Sequence, residues 1–406
     1  MDLKVRRWQI LFVACCICLC SGSMYAWSVF ATPLAARLTE ITGEVVTTGM
    51  LAATFSLANG LSPIPMILGG FVNDRIGPRW LIASGGLLIG LGYIAGGLAQ
   101  TPMQLILGFG LSFGIGLGFV YGAVIGTVMK FFPDRRGLVG GLVTGIYGLS
   151  SVILSPVAHA LIDSYGVHWA MIFVGAVFAL VIVSGAMLMQ KCPDDFLRNF
   201  GRSTQSSPDK SLDWRAMLST KRFYQMIAML VCGVIPAMMF IPFCFALAKD
   251  LAGLSSVSAS IAVSVLALSN VGGRFVAGAA SDRFGRVATL SGAMLVTVWS
   301  FIGLSFATPE LTVLFWVAVV GVGLAFGAFM AIYPGFTSEE FGSRHNSVNY
   351  GIMFSGFAIA GFAGPGLLHA MQNADISLSG IFLTASALCC LGLVFAWLFE
   401  FAKKRS

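Results

Sequence analysis

Long apolar runs are the feature of this chain that most restricts its fold. A helix needs roughly 20 mostly apolar residues to cross the hydrocarbon core of a bilayer, and the 406-residue sequence contains twelve such runs. Only 10% of the residues are charged, against about 25% in soluble domains, and a soluble fold would expose much of this apolar surface to water. The sequence therefore predicts an all-α membrane protein with transmembrane helices over residues 8–31, 46–71, 80–99, 103–129, 138–162, 168–190, 223–248, 256–280, 287–307, 311–334, 347–370 and 378–400.

The basic residues predict how these spans are oriented. All but three of the 24 Lys and Arg fall at the two ends of the chain, in the polar segment 191–222 and in the loops on the same side. The positive-inside rule then places both termini and this segment in the cytoplasm. The formal charge of +7 is explained by topology, so a nucleic-acid partner is not expected. The long first apolar run favours a membrane helix over a cleaved signal peptide, and the predicted location is the plasma membrane, the inner membrane in bacteria.

A short loop motif occurs between the second and third predicted spans of each half. Its residues are Asp74, Arg75, Gly77 and Arg79 in the first copy and Asp282, Arg283, Gly285 and Arg286 in the second. The Asp, Arg and Gly positions recur with one displacement of 208 residues, which indicates a duplicated six-helix unit. We predict an amino-terminal bundle over 1–190, a cytoplasmic linker over 191–222 and a carboxyl-terminal bundle over 223–406, functioning as a monomer.

This motif, in both halves of a twelve-span chain, resembles the signature loop of the major facilitator superfamily. The segments Asn73–Arg79, Tyr25–Ser28, Gly272–Arg274 and Asn349–Gly351 more narrowly resemble the oxalate:formate antiporter family and the monocarboxylate transporters. The resemblance implies two pseudo-symmetric six-helix halves and a cytoplasmic latch, formed by the loop charges, that favours the outward-facing state. An Asp–Arg pair at a helix end can bond neighbouring helix termini and release them when the halves rotate. The alternative is that these charges only set the topology of the chain.

Arg274 is the one basic residue predicted to lie near the middle of a span, and all 17 acidic residues fall in loops or at span ends. Burying a guanidinium in a membrane costs at least ~2.5–3.5 kcal/mol, so such a group usually faces a watery cavity or a counter-ion. Its planar fork of donors matches a carboxylate. Bonds to helix carbonyls or snorkelling to an interface are the alternatives. In the families that the chain resembles, the Arg at this position binds the substrate carboxylate.

Further residues are candidate substrate contacts in a cavity that includes this Arg. Asn270 lies one helical turn earlier on the same face, where many monocarboxylate transporters have an Asp implicated in proton coupling. Aromatic rings can select substrates by shape, and the hydroxyl of tyrosine can bond a carboxylate oxygen. Any single aromatic residue is nevertheless more often a packing residue. The candidates are Tyr25, Tyr121, Phe326, Met330 and Tyr333. Phe326 and Met330 match cavity-wall positions of the oxalate carrier, and Met330 departs from its aromatic pattern.

Phe357 is the position that favours a monoanion over a dianion. The oxalate carrier that the chain resembles has a Lys there, and one cation suits one carboxylate. A dianion facing Arg274 alone would keep one buried, unpaired charge, which is costly. Lactate, pyruvate, formate or similar monoanions are therefore the expected substrates.

Other classes of function find less support in the sequence. It contains no catalytic Ser/His/Asp set, nucleotide loop or zinc-ligand spacing, so neither an enzyme nor a metal or cofactor site is expected. A channel or receptor would be expected to show a selectivity filter or a gating domain. We expect proton-coupled symport, because one proton cancels the charge of a monoanion entering against an inside-negative potential. Exchange of anions, as in an oxalate:formate antiporter, is the alternative.

Overall fold

The computed structural model describes residues 3–193 and 211–405, and in these ranges the regular structure is entirely helical. The predicted linker 191–222 therefore lies partly outside the described residues. The α-helices are α1 (Leu3–Ser21), α2 (Trp27–Thr42), α3 (Thr48–Leu61), α4 (Pro63–Arg75), α5 (Pro78–Leu98), α6 (Pro102–Leu105), α7 (Ser112–Phe131), α8 (Arg136–Leu188), α9 (Trp214–Leu218), α10 (Lys221–Phe240), α11 (Cys244–Asp250), α12 (Ser256–Phe284), α13 (Arg286–Ser305), α14 (Thr312–Phe341), α15 (Asn346–Asn373) and α16 (Leu378–Arg405).

Several predicted spans are built from more than one helix. A 3₁₀ segment, Gly22–Ala26, joins α1 to α2, so the first span runs from residue 3 to 42 and is longer than the predicted 8–31. A π-helical segment, Ile106–Leu111, joins α6 to α7, and a second 3₁₀ segment, Ile241–Phe243, joins α10 to α11. π-Helical and 3₁₀ pieces inside longer helices often mark functional or strained positions.

The number of spans agrees with the prediction once α8 is divided. Eleven helical stretches in the described residues are long and apolar enough to cross a membrane. One of them, α8, has 53 residues and would be about 80 Å long if straight, far more than a bilayer core of ~30 Å. Gly166 breaks it with a positive φ of 77°, which separates the predicted spans 138–162 and 168–190.

Helix ends follow local sequence signals. The side chains of Thr47, Thr101, Thr220 and Ser255 each accept a hydrogen bond from a backbone amide in the first turn of the helix that follows. Such caps satisfy amides that have no partner within the helix. Pro occupies the first position of α4, α5 and α6, where its missing N–H is not needed.

The repeated loop motif has the same backbone form in both copies. Gly77 joins α4 to α5 with φ 105°, and Gly285 joins α12 to α13 with φ 91°. Residues with a Cβ rarely adopt these angles, which explains why glycine stands at the equivalent position of each copy.

The chain forms two compact units. The first comprises Met1–Asp134, Ile146–Asp213 and Thr337–Ile352, and the second comprises Arg135–Gly145, Trp214–Phe336 and Met353–Ser406. In the first unit Tyr93 packs edge-on against the rings of Phe30, Phe109 and Phe178. In the second unit Phe301, one repeat length further along the chain, contacts Phe240 and Phe382. The division at residues 190 and 223 remains a prediction.

Candidate functional site

Arg274 lies on α12 in the second unit, and none of its surface is exposed. Its Nε donates to Oδ1 of Asn270 at 3.0 Å, the partner that spacing of one turn predicts. Its Nη1 donates to the backbone carbonyl of Thr144 on α8. Nη2 is buried and has no hydrogen-bond partner, and among the described residues Arg274 forms no ion pair. The guanidinium is therefore a buried cation with part of its donor fork unsatisfied.

Glycines allow two helices to pack against the backbone of α12 around Arg274. A Cβ at Gly141 of α8 would overlap the carbonyl oxygen of Arg274. A Cβ at Gly327 of α14 would overlap the carbonyl oxygen of Asn270 and lie 2.8 Å from the amide nitrogen of Arg274. Small residues are the usual means by which membrane helices approach this closely. Helix α12 is thus held at the level of Arg274 by both α8 and α14.

The other predicted contacts in the second unit are mostly side chains with little exposed surface. Phe326 and Met330 of α14 and Phe357 of α15 are buried. Tyr333 is fully buried, its hydroxyl donates to the carbonyl of Met226 at 2.8 Å, and its ring stands edge-on to that of Phe357 at 6.3 Å. Because the hydroxyl of Tyr333 is already bonded to backbone, the observed contacts show the packing role of this residue. Its role as a substrate contact stays a prediction.

Tyr25 and Tyr121 lie in the first unit. Tyr25 belongs to the 3₁₀ segment of the first span, is 43% exposed and lines an open cavity of about 350 Å³ together with Trp27, Ser28 and Phe55. The rings of Tyr25 and Tyr121 both contact the ring of Tyr147, with centroids 5.5 and 4.9 Å apart. The structure brings these three tyrosines together, and the contribution of Tyr25 and Tyr121 to a site with Arg274 stays a prediction.

The second copy of the loop motif ties α12 to the start of α8. The two carboxylate oxygens of Asp282 accept hydrogen bonds from the backbone amides of Gly137 at 2.8 Å and Leu138 at 2.7 Å. Arg286 forms an ion pair with Asp282 at 2.7 Å and donates to the hydroxyl of Ser281. A carboxylate at a helix amino terminus satisfies free amides and matches the helix dipole.

The first copy makes the equivalent contact at the start of α15. Asp74 accepts from the amide of Val348 at 3.3 Å and pairs with Lys130 at 2.7 Å. Its neighbour Asn73 donates to the hydroxyl of Ser347 at 2.7 Å. Each of the two motif carboxylates thus bonds the first turn of a helix, and their role as a cytoplasmic latch stays a prediction.

The motif arginines differ in use, because Arg286 pairs with Asp282 whereas the carboxylate of Asp74 pairs with Lys130, a residue outside the motif. Arg75 and Arg79 are exposed, and the carbonyl of Arg75 accepts a bond from Lys191 at 2.9 Å. Arg283 lies over the ring of Phe284 at 5.5 Å. Lys130 lies in the last turn of α7, and the loop motif alone gives no signal that it would pair with Asp74.

Comparison with known proteins now decides the family. Residues 5–365 match the sequence profile of the Major Facilitator Superfamily. The chain belongs to this superfamily. It is therefore a multi-pass membrane transporter, and the predicted resemblance is confirmed.

Three relatives illustrate what the chain is similar to within the superfamily. It is 27% identical over 353 residues to the uncharacterized MFS-type transporter YhjX of Escherichia coli, covering 87% of this chain and 85% of YhjX. It is 27% identical over 371 residues to the oxalate:formate antiporter of Oxalobacter formigenes, covering 89% and 84%. It is 26% identical over 355 residues to human monocarboxylate transporter 11, covering 84% and 72%.

A solved superfamily structure supports the fold. The proton:xylose symporter XylE matches with a TM-score of 0.73 at 13% identity, covering 98% of this chain and 96% of XylE. At this identity the likeness shows the fold alone, and the predicted all-α major facilitator fold is confirmed.

Removing the charge of Asp282 tests the contact with α8 in this superfamily member. Asp282→Asn should lower the initial transport rate about tenfold, because the amide keeps one acceptor oxygen for two backbone amides and loses its ion pair with Arg286. A hydrogen bond to a charged group is worth about 1.5–3 kcal/mol. Initial rates in proteoliposomes at equal protein amounts measure the effect. Asp163→Asn, at an exposed position of α8, should transport normally, and an unchanged rate for Asp282→Asn would contradict the prediction.

Proposed function

We propose that this protein is a secondary transporter of small monocarboxylate anions that works by alternating access, with Arg274 as the ligand of the substrate carboxylate. The observation that carries the proposal is a guanidinium with no exposed surface, no ion pair within the described ranges and an unpartnered Nη2. Such a group is stabilised by an anion that accepts from Nη2.

The surroundings of Arg274 favour one carboxylate and an apolar remainder. Asn270 and the Thr144 carbonyl are neutral acceptors, so they hold the guanidinium without cancelling its charge. Phe326, Met330 and Phe357 are buried apolar side chains of α14 and α15 in the same unit, and we propose that they form the walls of the site. A small monoanion would pair its charge with Arg274 and meet apolar walls elsewhere, whereas a dianion would keep one charge unpaired.

The names of two relatives support this substrate class, since one is an oxalate:formate antiporter and the other a monocarboxylate transporter. We also propose Tyr25 and Tyr121 as contacts from the first unit and the two loop motifs as a cytoplasmic latch. The distribution of Lys and Arg supports the placement of both termini in the cytoplasm. We further propose a plasma-membrane location, the inner membrane in bacteria, and the monomer as the working unit.

Uptake by purified protein in proteoliposomes tests the proposal. Radiolabelled lactate, pyruvate, formate, oxalate and succinate would be supplied one at a time at pH 6 and pH 8. We expect saturable uptake of at least one monocarboxylate and weak uptake of both dicarboxylates. Uptake of none of the five anions, or a preference for oxalate or succinate, would contradict the proposal.

Energy coupling gives a separate prediction. A monoanion entering alone moves against ~2.3 kcal/mol per 100 mV of inside-negative potential, and a proton carried with it removes this cost. Uptake should therefore rise at acidic external pH and be insensitive to a potassium diffusion potential. Initial rates with and without valinomycin measure both effects.

Anion exchange is the second candidate, favoured by the similarity to an oxalate:formate antiporter. In that case uptake would ignore pH and would require vesicles preloaded with an anion. Vesicles loaded with unlabelled pyruvate or with buffer alone distinguish exchange from proton symport.

A further inference from the structure

The acceptor that Thr144 offers to Arg274 is a backbone group from a distant part of the chain. Thr144 lies on α8, 130 residues before Arg274, and its carbonyl accepts from Nη1 inside the second unit. Both residues have no exposed surface. The side chain of Thr144 plays no part in this bond, because its hydroxyl donates to the carbonyl of Gly140 at 2.8 Å.

Close backbone packing makes this contact possible. Gly137 and Gly141 of α8 face Arg274 and Gly278 of α12, and a Cβ at either α8 position would overlap a carbonyl oxygen of α12. A Cβ at Gly145 would lie 2.8 Å from the ring of Phe275. The Thr144 carbonyl therefore reaches Arg274 only while α8 and α12 stay at this distance.

The bond is well suited to exchange with a substrate. Within a helix, each backbone carbonyl accepts a hydrogen bond from the amide four residues later. The Thr144 carbonyl therefore still has a hydrogen-bond partner after its bond to Arg274 is broken. A carboxylate adds the attraction of opposite charges and can accept two parallel N–H bonds from a guanidinium, whereas a backbone carbonyl is neutral. A substrate that bonds Nη1 and Nη2 together would satisfy the unpartnered Nη2 and replace the neutral acceptor on Nη1.

We propose that Thr144 is a positioning residue whose backbone carbonyl competes with the substrate carboxylate for Arg274, so that substrate binding releases α8 from α12. The inference rests on the proposed function and adds its coupling step. Thr144 holds Arg274 in orientation until the substrate arrives. The free energy of substrate binding then weakens the contact between α8 and α12. At this contact Asp282 also bonds the first turn of α8.

Hydrogen–deuterium exchange of the wild-type protein measures the release directly. Saturating pyruvate, used as the probe, should speed exchange of the amides in residues 136–148 by at least about threefold. Residues 378–390 of α16 serve as the internal reference and should not change. Bound pyruvate with unchanged exchange in residues 136–148 would overturn the inference.

Gly141→Ala tests the same step from the other side. The new methyl group cannot fit against the Arg274 carbonyl, so α8 must move away and withdraw the Thr144 carbonyl. We expect the Kd for pyruvate to fall about tenfold, which corresponds to about 1.4 kcal/mol, while the transport rate falls and exchange in residues 136–148 no longer responds to pyruvate. Weaker or unchanged pyruvate binding by folded Gly141→Ala would overturn the inference.

Matched variants separate this effect from general damage. Gly272→Ala adds a methyl group on α12 where the nearest atom, Cδ2 of Leu324, is 3.9 Å away, and it should behave as wild type. If Gly141→Ala does not fold, an ester bond between Thr144 and Gly145 weakens the carbonyl as an acceptor and should also tighten binding. An unchanged Kd for this ester variant would overturn the inference.

Failure of this inference can be told apart from failure of the proposed function. If wild-type protein binds no monocarboxylate, the proposed function is wrong. If pyruvate binds through Arg274 but neither the exchange of α8 nor the affinity of the Gly141→Ala and ester proteins changes as expected, only the role of Thr144 is wrong.

Discussion

Arg274→Ala should abolish carboxylate binding and transport while the protein still inserts and folds. A carboxylate held by two charged hydrogen bonds gains about 1.5–3 kcal/mol from each, so affinity should fall by at least about 100-fold. Folding should persist because the cost of burying an unpaired cation disappears with the side chain. Equilibrium binding of labelled pyruvate to purified protein, together with thermal unfolding, measures both results.

Three variants make this test specific for the guanidinium fork. Arg274→Lys keeps the charge but cannot bond a carboxylate in bidentate fashion, and its activity should stay low. Asn270→Asp places a carboxylate beside Nε, so it should neutralise Arg274 and weaken binding about tenfold at pH 8. Arg344→Ala removes an exposed arginine and should bind normally. Near-normal binding by Arg274→Ala would contradict the carboxylate site.

Phe357→Lys should exchange monoanion selectivity for oxalate binding. Phe357 is buried, with its ring against those of Tyr333 and Phe354, in the same unit as Arg274. A second cation would stay uncompensated with a monoanion and be paired with a dianion. We expect oxalate to compete with labelled pyruvate at least about tenfold better in the variant than in wild type, and monoanion uptake to weaken.

Folding and size effects are controlled separately. A buried Lys costs ~2.5–3.5 kcal/mol in a membrane helix, so the variant should unfold at a lower temperature and be stabilised by oxalate. Phe357→Met removes the ring without adding charge and should keep monoanion selectivity. The one-cation argument would be wrong if wild-type protein already preferred oxalate, or if folded Phe357→Lys gained no oxalate affinity.

The sequence by itself determined the class of fold and which charged residues lie inside the membrane spans and which lie in loops. Span number and the loop positions of the acidic residues depend on one-dimensional hydropathy, because a bilayer imposes a fixed length on each helix. The same reasoning singled out Arg274, and the structure shows it fully buried. Its bond to Asn270 was predictable because helical spacing alone makes the two residues neighbours.

Only the tertiary structure decided which distant groups meet. Three such contacts join residues more than 50 positions apart. They are the hydrogen bond from Arg274 to the Thr144 carbonyl, the ion pair of Lys130 with Asp74, and the hydrogen bond from Tyr333 to the Met226 carbonyl. In helices that are apolar on every side, periodicity does not show which face meets a neighbour. That choice depends on how closely backbones can approach, and here it is made by glycines such as Gly141 and Gly327, whose missing side chains let α8 and α14 reach the backbone of α12 beside Arg274.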